Sequence, residues 1–193
     1  SRPATPRRVG GYVAPESVRG VAVSGSYAYI AVGRAGLQVV DLSHHSNAQR
    51  LGVLTTDRAA KGVVVSGHYA YMREEGANEE GEWQGRLAVI DVSNPETPIR
   101  VAEMDTSGSV SDAASSGDVA VSVSGDYAYL ADGKAGLRVI DVRSPSEFRE
   151  VGSYPGIHAN GVCVSGNYAL VASGEAGLTV VDISLRARIW NWI

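Results

Sequence analysis

The chain has a single cysteine among 193 residues, little net charge and no long apolar segment. Cys163 alone excludes an internal disulfide framework and any cysteine cluster around a metal. No stretch of about 18 apolar residues is present, so no membrane-spanning helix is expected. A formal net charge of −4 disfavours general binding to nucleic acid, because the phosphate backbone attracts basic surfaces. These absences leave a globular protein.

Glycine and internal repetition are what the chain has in abundance. Its 23 glycines fit a chain that turns often, and 44% hydrophobic residues suffice for a core. A phrase of the type Val-Ser-Gly-x-Tyr-Ala-Tyr occurs four times, and it begins at Val23, Val65, Val123 and Val164. A second phrase of the type Leu-x-Val-Ile-Asp follows each copy, and it ends at Asp41, Asp91, Asp141 and Asp182.

Each repeat has the pattern of short strands separated by tight turns. The runs of the first repeat are residues 20–23, 27–32 and 37–42, and residues 8–13 supply a fourth run of the same kind. Gly33 and Gly36 bracket the two residues of a hairpin turn between the second and third runs. Four strands in a repeat of roughly 40 residues are typical of a β-propeller blade.

The two ends of the chain fit one another. Residues 1–9 resemble residues 93–101, which lead into a fourth strand, whereas the last repeat stops at Ser184 before its own fourth strand. We therefore predict an all-β fold: one β-propeller over residues 1–184, with four blades of four antiparallel strands, closed by an N-terminal strand (residues 8–13) that completes the last blade. Two alternatives stay open: an excerpt of a longer repeat array, and a larger ring in which two copies exchange this strand.

Three features carry a family resemblance: the motif Leu137-Arg-Val-Ile-Asp-Val142, the equivalent motifs of the other three repeats, and the Ser-Asn-Pro-Glu-Thr-Pro linker at residues 93–98. These phrases resemble the LVIVD repeats of bacterial and archaeal propeller proteins, many of which are exported or attached to the cell surface. The resemblance implies the propeller fold and an extracellular or surface location, and it brings no catalytic residues. The tail, residues 185–193, departs from the family; with Trp190 and Trp192 it is expected to pack on the ring or to join another chain in an oligomer.

Two insertions interrupt the repeats and predict a binding face. One enlarges the turn between the second and third strands of the second repeat (residues 73–86), and the other lengthens the following connection (residues 105–117). Both emerge on the same face of a propeller, so we expect them to meet and to form an acidic surface with one aromatic anchor. The residues of this predicted site are Glu74, Glu75, Glu79, Glu80, Glu82, Trp83, Asp112 and Asp118.

The mouth of the central channel is a second candidate. The residues that enter the first strands differ between repeats, and they are Arg19, Lys61, Asp118, His158 and Asn160. Of these, we add Arg19 and His158 to the predicted binding residues. No linear catalytic motif is present, and no catalytic residue is predicted. The four repeated aspartates directly follow buried strands, so we expect them to fix turns by accepting backbone N–H groups.

No metal or other cofactor is predicted. Calcium is the only candidate, and residues 74–82 lack the alternating acidic spacing of a calcium loop. We therefore expect a non-catalytic module that binds a protein, a peptide or another cationic partner. The alternatives are a hydrolase or lyase that uses channel-mouth residues, and an architectural repeat domain of a larger surface protein.

Overall fold

The computed structural model describes residues 5–77, 80–106, 121–144 and 147–184. Apart from short 3-10 helices, all regular secondary structure within these ranges is β-strand, which confirms the all-β class. The strands form four antiparallel sheets, one for each repeat, and within each sheet they lie side by side in chain order. None of the helices in these ranges has the length and apolar character needed to cross a membrane.

The first three sheets have four strands each, and the fourth has three. The first sheet consists of β1 (Gly20–Ser24), β2 (Tyr27–Ala31), β3 (Leu37–Asp41) and β4 (Gln49–Leu54). The second consists of β5 (Ala59–Ser66), β6 (Tyr69–Ala77), β7 (Trp83–Asp91) and β8 (Ile99–Thr106). The third consists of β9 (Val121–Ser124), β10 (Tyr127–Ala131), β11 (Leu137–Asp141) and β12 (Arg149–Tyr154). The fourth consists of β13 (Gly161–Ser165), β14 (Tyr168–Ala172) and β15 (Leu178–Asp182).

Short 3-10 helices lie at His45–Asn47, between β3 and β4, and at Gly174–Ala176, between β14 and β15.

The turns between the first two strands of each sheet share one backbone conformation. Gly25, Gly67, Gly125 and Gly166 all have φ between 57° and 58°, which a side chain would disfavour. This requirement explains why the Ser-Gly pair recurs in every repeat.

The core lies between successive sheets. Tyr29, Leu37 and Val39 of the first sheet pack against Val63 and Met72 of the second. Equivalent clusters join the second sheet to the third and the third to the fourth. The middle strands are therefore apolar on both faces, because each inner sheet is covered on both sides.

The repeated aspartates fix the turns that follow β3, β7, β11 and β15, as predicted. In each turn the aspartate Oδ1 accepts the backbone N–H of the residue two positions later, at 2.8–3.1 Å; the pairs are Asp41 with Ser43, Asp91 with Ser93, Asp141 with Arg143, and Asp182 with Ser184. The pKa of all four carboxyl groups is lowered, first by a side-chain hydrogen bond from that same residue and then by its backbone N–H.

A β-bulge recurs at one position of the outermost strand pair. The register shifts between Val39 and Val40 in the β3–β4 pair, between Val89 and Ile90 in the β7–β8 pair, and between Val139 and Ile140 in the β11–β12 pair. The fourth sheet has no equivalent strand pair among the described residues, because it ends at β15. The outermost strand of the first three sheets is therefore bent and twisted at the same place.

The enlarged loop expected over residues 73–86 is corrected by the structure, because most of it is strand. The β6–β7 hairpin continues its regular register to Ala77 opposite Trp83. Glu74 faces Arg86 across this ladder, and such opposite-charge pairs stabilise a hairpin. The second insertion lies outside the described residues from residue 107 to residue 120.

The predicted closure of the ring is not seen. Successive sheets contact one another through β1 and β5, β5 and β9, and β9 and β13, but no comparable contact joins the described strands of the first and fourth sheets. The described part of the N-terminal segment (residues 5–19) forms no strand with β15. It lies on the first sheet instead, where the Tyr12 hydroxyl donates a hydrogen bond to Gln38 Oε1 at 2.9 Å.

The turn aspartates should make stability depend on pH at the acid end. The side chain of Arg143, together with its backbone N–H, lowers the pKa of Asp141 from 3.8 to about 2. Since the folded-state pKa is depressed, the stabilisation is present above about pH 4 and is lost as the pH falls towards 2.

Urea denaturation of the Asp141→Asn variant should therefore show a lower midpoint than the wild type at pH 7, and the difference should shrink as the pH approaches 2. Arg143→Met should weaken the same pH dependence, because it removes the main partner of Asp141. A midpoint difference that stays constant from pH 7 to pH 2 would contradict this assignment.

Candidate functional site

The β6–β7 hairpin is the most prominent departure from the repeat. It carries Trp83 at its outer end, where 61% of the side chain is exposed. The neighbouring Glu80 and Glu82 are also exposed, whereas Glu79 lies outside the described residues. The end of the hairpin thus presents an indole and two carboxylates in close sequence.

The two glutamates nearer the base of the hairpin are used inside the sheet. Glu75 is buried and forms ion pairs with Lys61 at 2.9 Å and with Arg73 at 2.6 Å. Glu74 is fully buried, and its Oε1 accepts a hydrogen bond from Arg100 Nη2 on β8. Both of these side chains are therefore occupied within the sheet, whereas Glu80, Glu82 and Trp83 are exposed.

A cluster of charged side chains fixes the base of the hairpin. This ion-pair cluster consists of Asp57, Arg58, Glu74, Arg86, Arg100, Glu103 and Asp105. Arg86 lies at its centre: its Nη1 is 3.2 Å from Asp57 Oδ1 and from Glu103 Oε2, and its Nε is 3.4 Å from Asp105 Oδ1. Arg58, which is buried, donates to Asp105 Oδ1 at 2.8 Å. The cluster ties the hairpin both to β8 and to the connection before β5.

Glu74 is the most strongly desolvated member of the cluster. Its Oε2 atom has no hydrogen-bond partner among the described residues, and Arg86 Nη1 lies 3.9 Å away. Burial raises the pKa of the Glu74 carboxyl, and Arg100 acts in the opposite direction. Because an unpaired buried charge is costly, the folded hairpin depends on Arg100 staying in place.

The structure describes only the bases of the two insertions. Arg86, near the end of the first insertion, contacts Asp105, at the start of the second, because the two residues are partners in the β7–β8 pair. The meeting of the two insertions beyond residue 106 stays a prediction. Asp112 and Asp118 lie outside the described residues, so their place in the site stays a prediction. Sequence reasoning missed Asp57, Arg58 and Arg100, which stand opposite the hairpin only after the strands have packed. The one available signal was the pairing of Glu74 and Arg86 across a continued hairpin.

The channel-mouth residues enter the first strands but are not brought into one cluster by any described contact. The backbone N–H of Arg19 donates to the Ala31 carbonyl, and His158 is half-buried beside Ala159, which bridges to Gly133. Lys61 pairs with Glu75 of the hairpin.

Among the described parts of the chain, no group of three histidine, cysteine, aspartate or glutamate side chains could hold a metal ion. Trp190 and Trp192 of the tail lie outside the described residues.

The repeats match the LVIVD repeat over residues 15–56, 57–106, 113–155 and 156–188. The chain therefore belongs to the LVIVD repeat family, which confirms the resemblance drawn from the repeated phrases. No curated protein matches it.

Solved structures show the same fold at low identity. The computationally designed Ika4 protein is 12% identical with a TM-score of 0.59, and the match covers 93% of this chain and 99% of that one. The designed Ika8 protein is 13% identical with a TM-score of 0.57, and the match covers 84% of this chain and 45% of Ika8. The Cps50 (Swd1) β-propeller domain of Myceliophteria thermophila is 16% identical with a TM-score of 0.54, and the match covers 89% of this chain and 54% of that domain. The chain thus has the β-propeller repeat fold, and it spans about half the length of the two larger structures.

Removal of Arg100 should expose the dependence of the hairpin on the ion-pair cluster. Arg100→Met leaves the Glu74 carboxylate buried without its main partner, so the free energy of unfolding should fall by about 3 kcal/mol at pH 7. Adding Glu74→Gln in the same chain should recover much of this loss, because the amide carries no charge to desolvate.

Arg50 provides the matched control for this cycle. It occupies the equivalent position on β4, where it faces Val40 as Arg100 faces Ile90, and it is exposed. Arg50→Met should change the free energy of unfolding by less than about 0.5 kcal/mol. The assigned role of the Glu74–Arg100 pair would be contradicted if Arg50→Met and Arg100→Met lowered the free energy of unfolding equally. It would also be contradicted if adding Glu74→Gln to Arg100→Met recovered none of the loss.

Proposed function

We propose that this chain is a non-catalytic binding module whose recognition element is the end of the β6–β7 hairpin. The exposure of Trp83 on a hairpin that buried ion pairs hold at its base is the observation that carries the proposal. A large exposed indole on a fixed support contributes binding energy with little loss of conformational entropy. The propeller repeat fold supports the same conclusion, since it supplies a rigid frame for such an element.

The partner proposed is cationic: a basic segment of a protein or peptide. Glu80 and Glu82 flank the indole in the sequence, and a lysine or arginine side chain on the face of Trp83 gains a cation–π interaction. Glu79, Asp112 and Asp118 extend the acidic character of the proposed surface by sequence. Arg19 and His158, before β1 and β13, are kept as proposed binding residues with no described contact to this hairpin. No resident cofactor is part of the proposal, and an extracellular or surface location is proposed from the family alone.

The same proposal includes completion of the last blade by the N-terminal segment. The fourth sheet ends at β15 in the described residues, and residues 8–13 have the sequence pattern of the fourth strands β4 and β8. A completed sheet would give the recognition hairpin a closed and rigid frame.

Binding of a short oligolysine peptide, measured by calorimetry at low salt, tests the recognition element. Trp83→Ala should weaken binding about fivefold, the loss of roughly 1 kcal/mol expected for an exposed cation–π contact. The pair Glu80→Lys and Glu82→Lys should weaken it further and reduce its dependence on salt.

Tyr154→Ala is the matched control, since it removes an aromatic side chain of similar exposure (45%) from a different sheet. It should leave the affinity unchanged, and an oligoglutamate peptide should not bind. If Trp83→Ala and Tyr154→Ala behave alike, the recognition element is not the hairpin.

A further inference from the structure

The N-terminal segment already occupies the place of an outermost strand. At the junction of the second and third sheets, Met104 of β8 packs into the shared core, and its sulfur lies 3.9 Å from Arg138 Nη2 on β11. On the outer face of the first sheet, Tyr12 packs in the same way and bonds to Gln38 of β3. Gln38 and Arg138 hold equivalent positions in their repeats, and so do Tyr12 and Met104.

A second, independent correspondence involves glycine. A Cβ on Gly52 of β4 would overlap the carbonyl oxygen of Pro95, in the β7–β8 connection of the next sheet. A Cβ on Gly10 would overlap the carbonyl oxygen of His45, in the β3–β4 connection. His45 and Pro95 are equivalent in the repeat, and so are Gly10 and Gly52. Residues 8–12 thus lie against the first sheet as β4 lies against the second.

Both end sheets also leave apolar faces uncovered. On the fourth sheet, Leu178 is 64% and Val180 57% exposed, whereas the equivalent Leu37 and Val39 of the first sheet are fully buried against the second. On the first sheet, Val21 is 63% exposed, whereas the equivalent Val63 is buried. Each end therefore carries the surface that joins sheets elsewhere in the chain, and the two surfaces are complementary.

We propose that the partner of these surfaces is a second copy of this chain, docked head to tail, so that residues 8–13 of one copy form the fourth strand of the other copy's β13–β15 sheet. The register of β3 and β4, in which Leu37 faces Leu54, places Tyr12 opposite Leu178 of the second copy. This inference rests on the proposed completion of the last blade and specifies which chain supplies the strand.

The lack of contact between the two end sheets favours a second copy over closure within one chain. The four sheets form an arc that matches 99% of the designed Ika4 protein but only 45% of Ika8 and 54% of the Cps50 propeller domain, so the arc corresponds to about half of each of the two larger structures. In the structure described, the first and fourth sheets of one chain do not contact one another as neighbouring sheets do. Two arcs related by a two-fold axis form two identical heterologous interfaces and close a ring of eight sheets.

Light scattering of the purified chain gives the first test. The expected mass is twice the chain mass of 20.2 kDa. Leu178→Arg combined with Val180→Asp should convert the dimer to a monomer of unchanged circular dichroism, because both side chains are exposed on a single arc. Ile99→Asp, at a 60% exposed apolar position of β8 away from the end faces, is the matched control and should remain dimeric. A wild-type chain that is monomeric at every concentration would overturn the proposal.

Disulfide trapping then shows which chain supplies the strand. In a Cys163→Ser background, Tyr12→Cys and Leu178→Cys are made in separate chains, mixed and oxidised. Residues directly opposite in an antiparallel pair have Cα atoms within the range that a disulfide bridges. A covalent dimer should form in the mixture and in neither variant alone.

The double variant, with both cysteines in one chain, separates the remaining outcomes. A covalent monomer from the double variant, with no cross-link in the mixture, would mean that the segment completes its own last sheet; this retains the blade completion and overturns the second copy. No cross-link in either experiment would overturn both, and further repeats of a longer chain would then be the occupant of the end faces.

Discussion

Packing of one sheet face against the next is the interaction on which the whole structure depends. Each repeat makes a small sheet whose middle strands are apolar on both sides, so no sheet can bury its surface alone. The second and third sheets are covered on both faces, and their central residues, such as Leu87 and Ile140, are fully buried. Burying one such side chain contributes roughly 1.5–3 kcal/mol, so each added neighbour stabilises the sheet before it.

The repetition made most of the fold predictable. Alternating runs, glycine turns and the aspartate after each third strand depend only on near neighbours in sequence, and the structure reproduces them in every repeat. The charged insertion was harder, because Glu74 and Glu75 have the composition of a solvated loop. Their burial depends on Arg100 and Lys61, which approach them only when strands far apart in sequence have paired. The fourth-strand pattern of residues 8–13 is readable in the sequence, but such a pattern is the same whichever chain supplies the neighbouring sheet.

The ion-pair cluster supports the base of the hairpin, and the end of the hairpin exposes Trp83. Arg86 and Arg100 hold the buried carboxylate in place and link the hairpin to β8, so the base has little freedom to move. The end carries Trp83, and most of this side chain is exposed. The exposed residues at the end can therefore vary without disturbing the frame, because the Glu74–Arg86 pair lies three residue pairs further along the β6–β7 ladder.

The recurrent bulge has a consequence for the solubility of the assembly. An outermost strand exposes unpaired N–H and C=O groups that can pair with a strand of another molecule. A bulge that bends and twists the outermost strand hinders this pairing. β4, β8 and β12 all pair through such a bulge, whereas β15, a third strand like β3, β7 and β11, has no fourth strand beside it among the described residues. The outer edge of β15 therefore lacks this protection, and a fourth strand that covers it would hinder edge-to-edge aggregation.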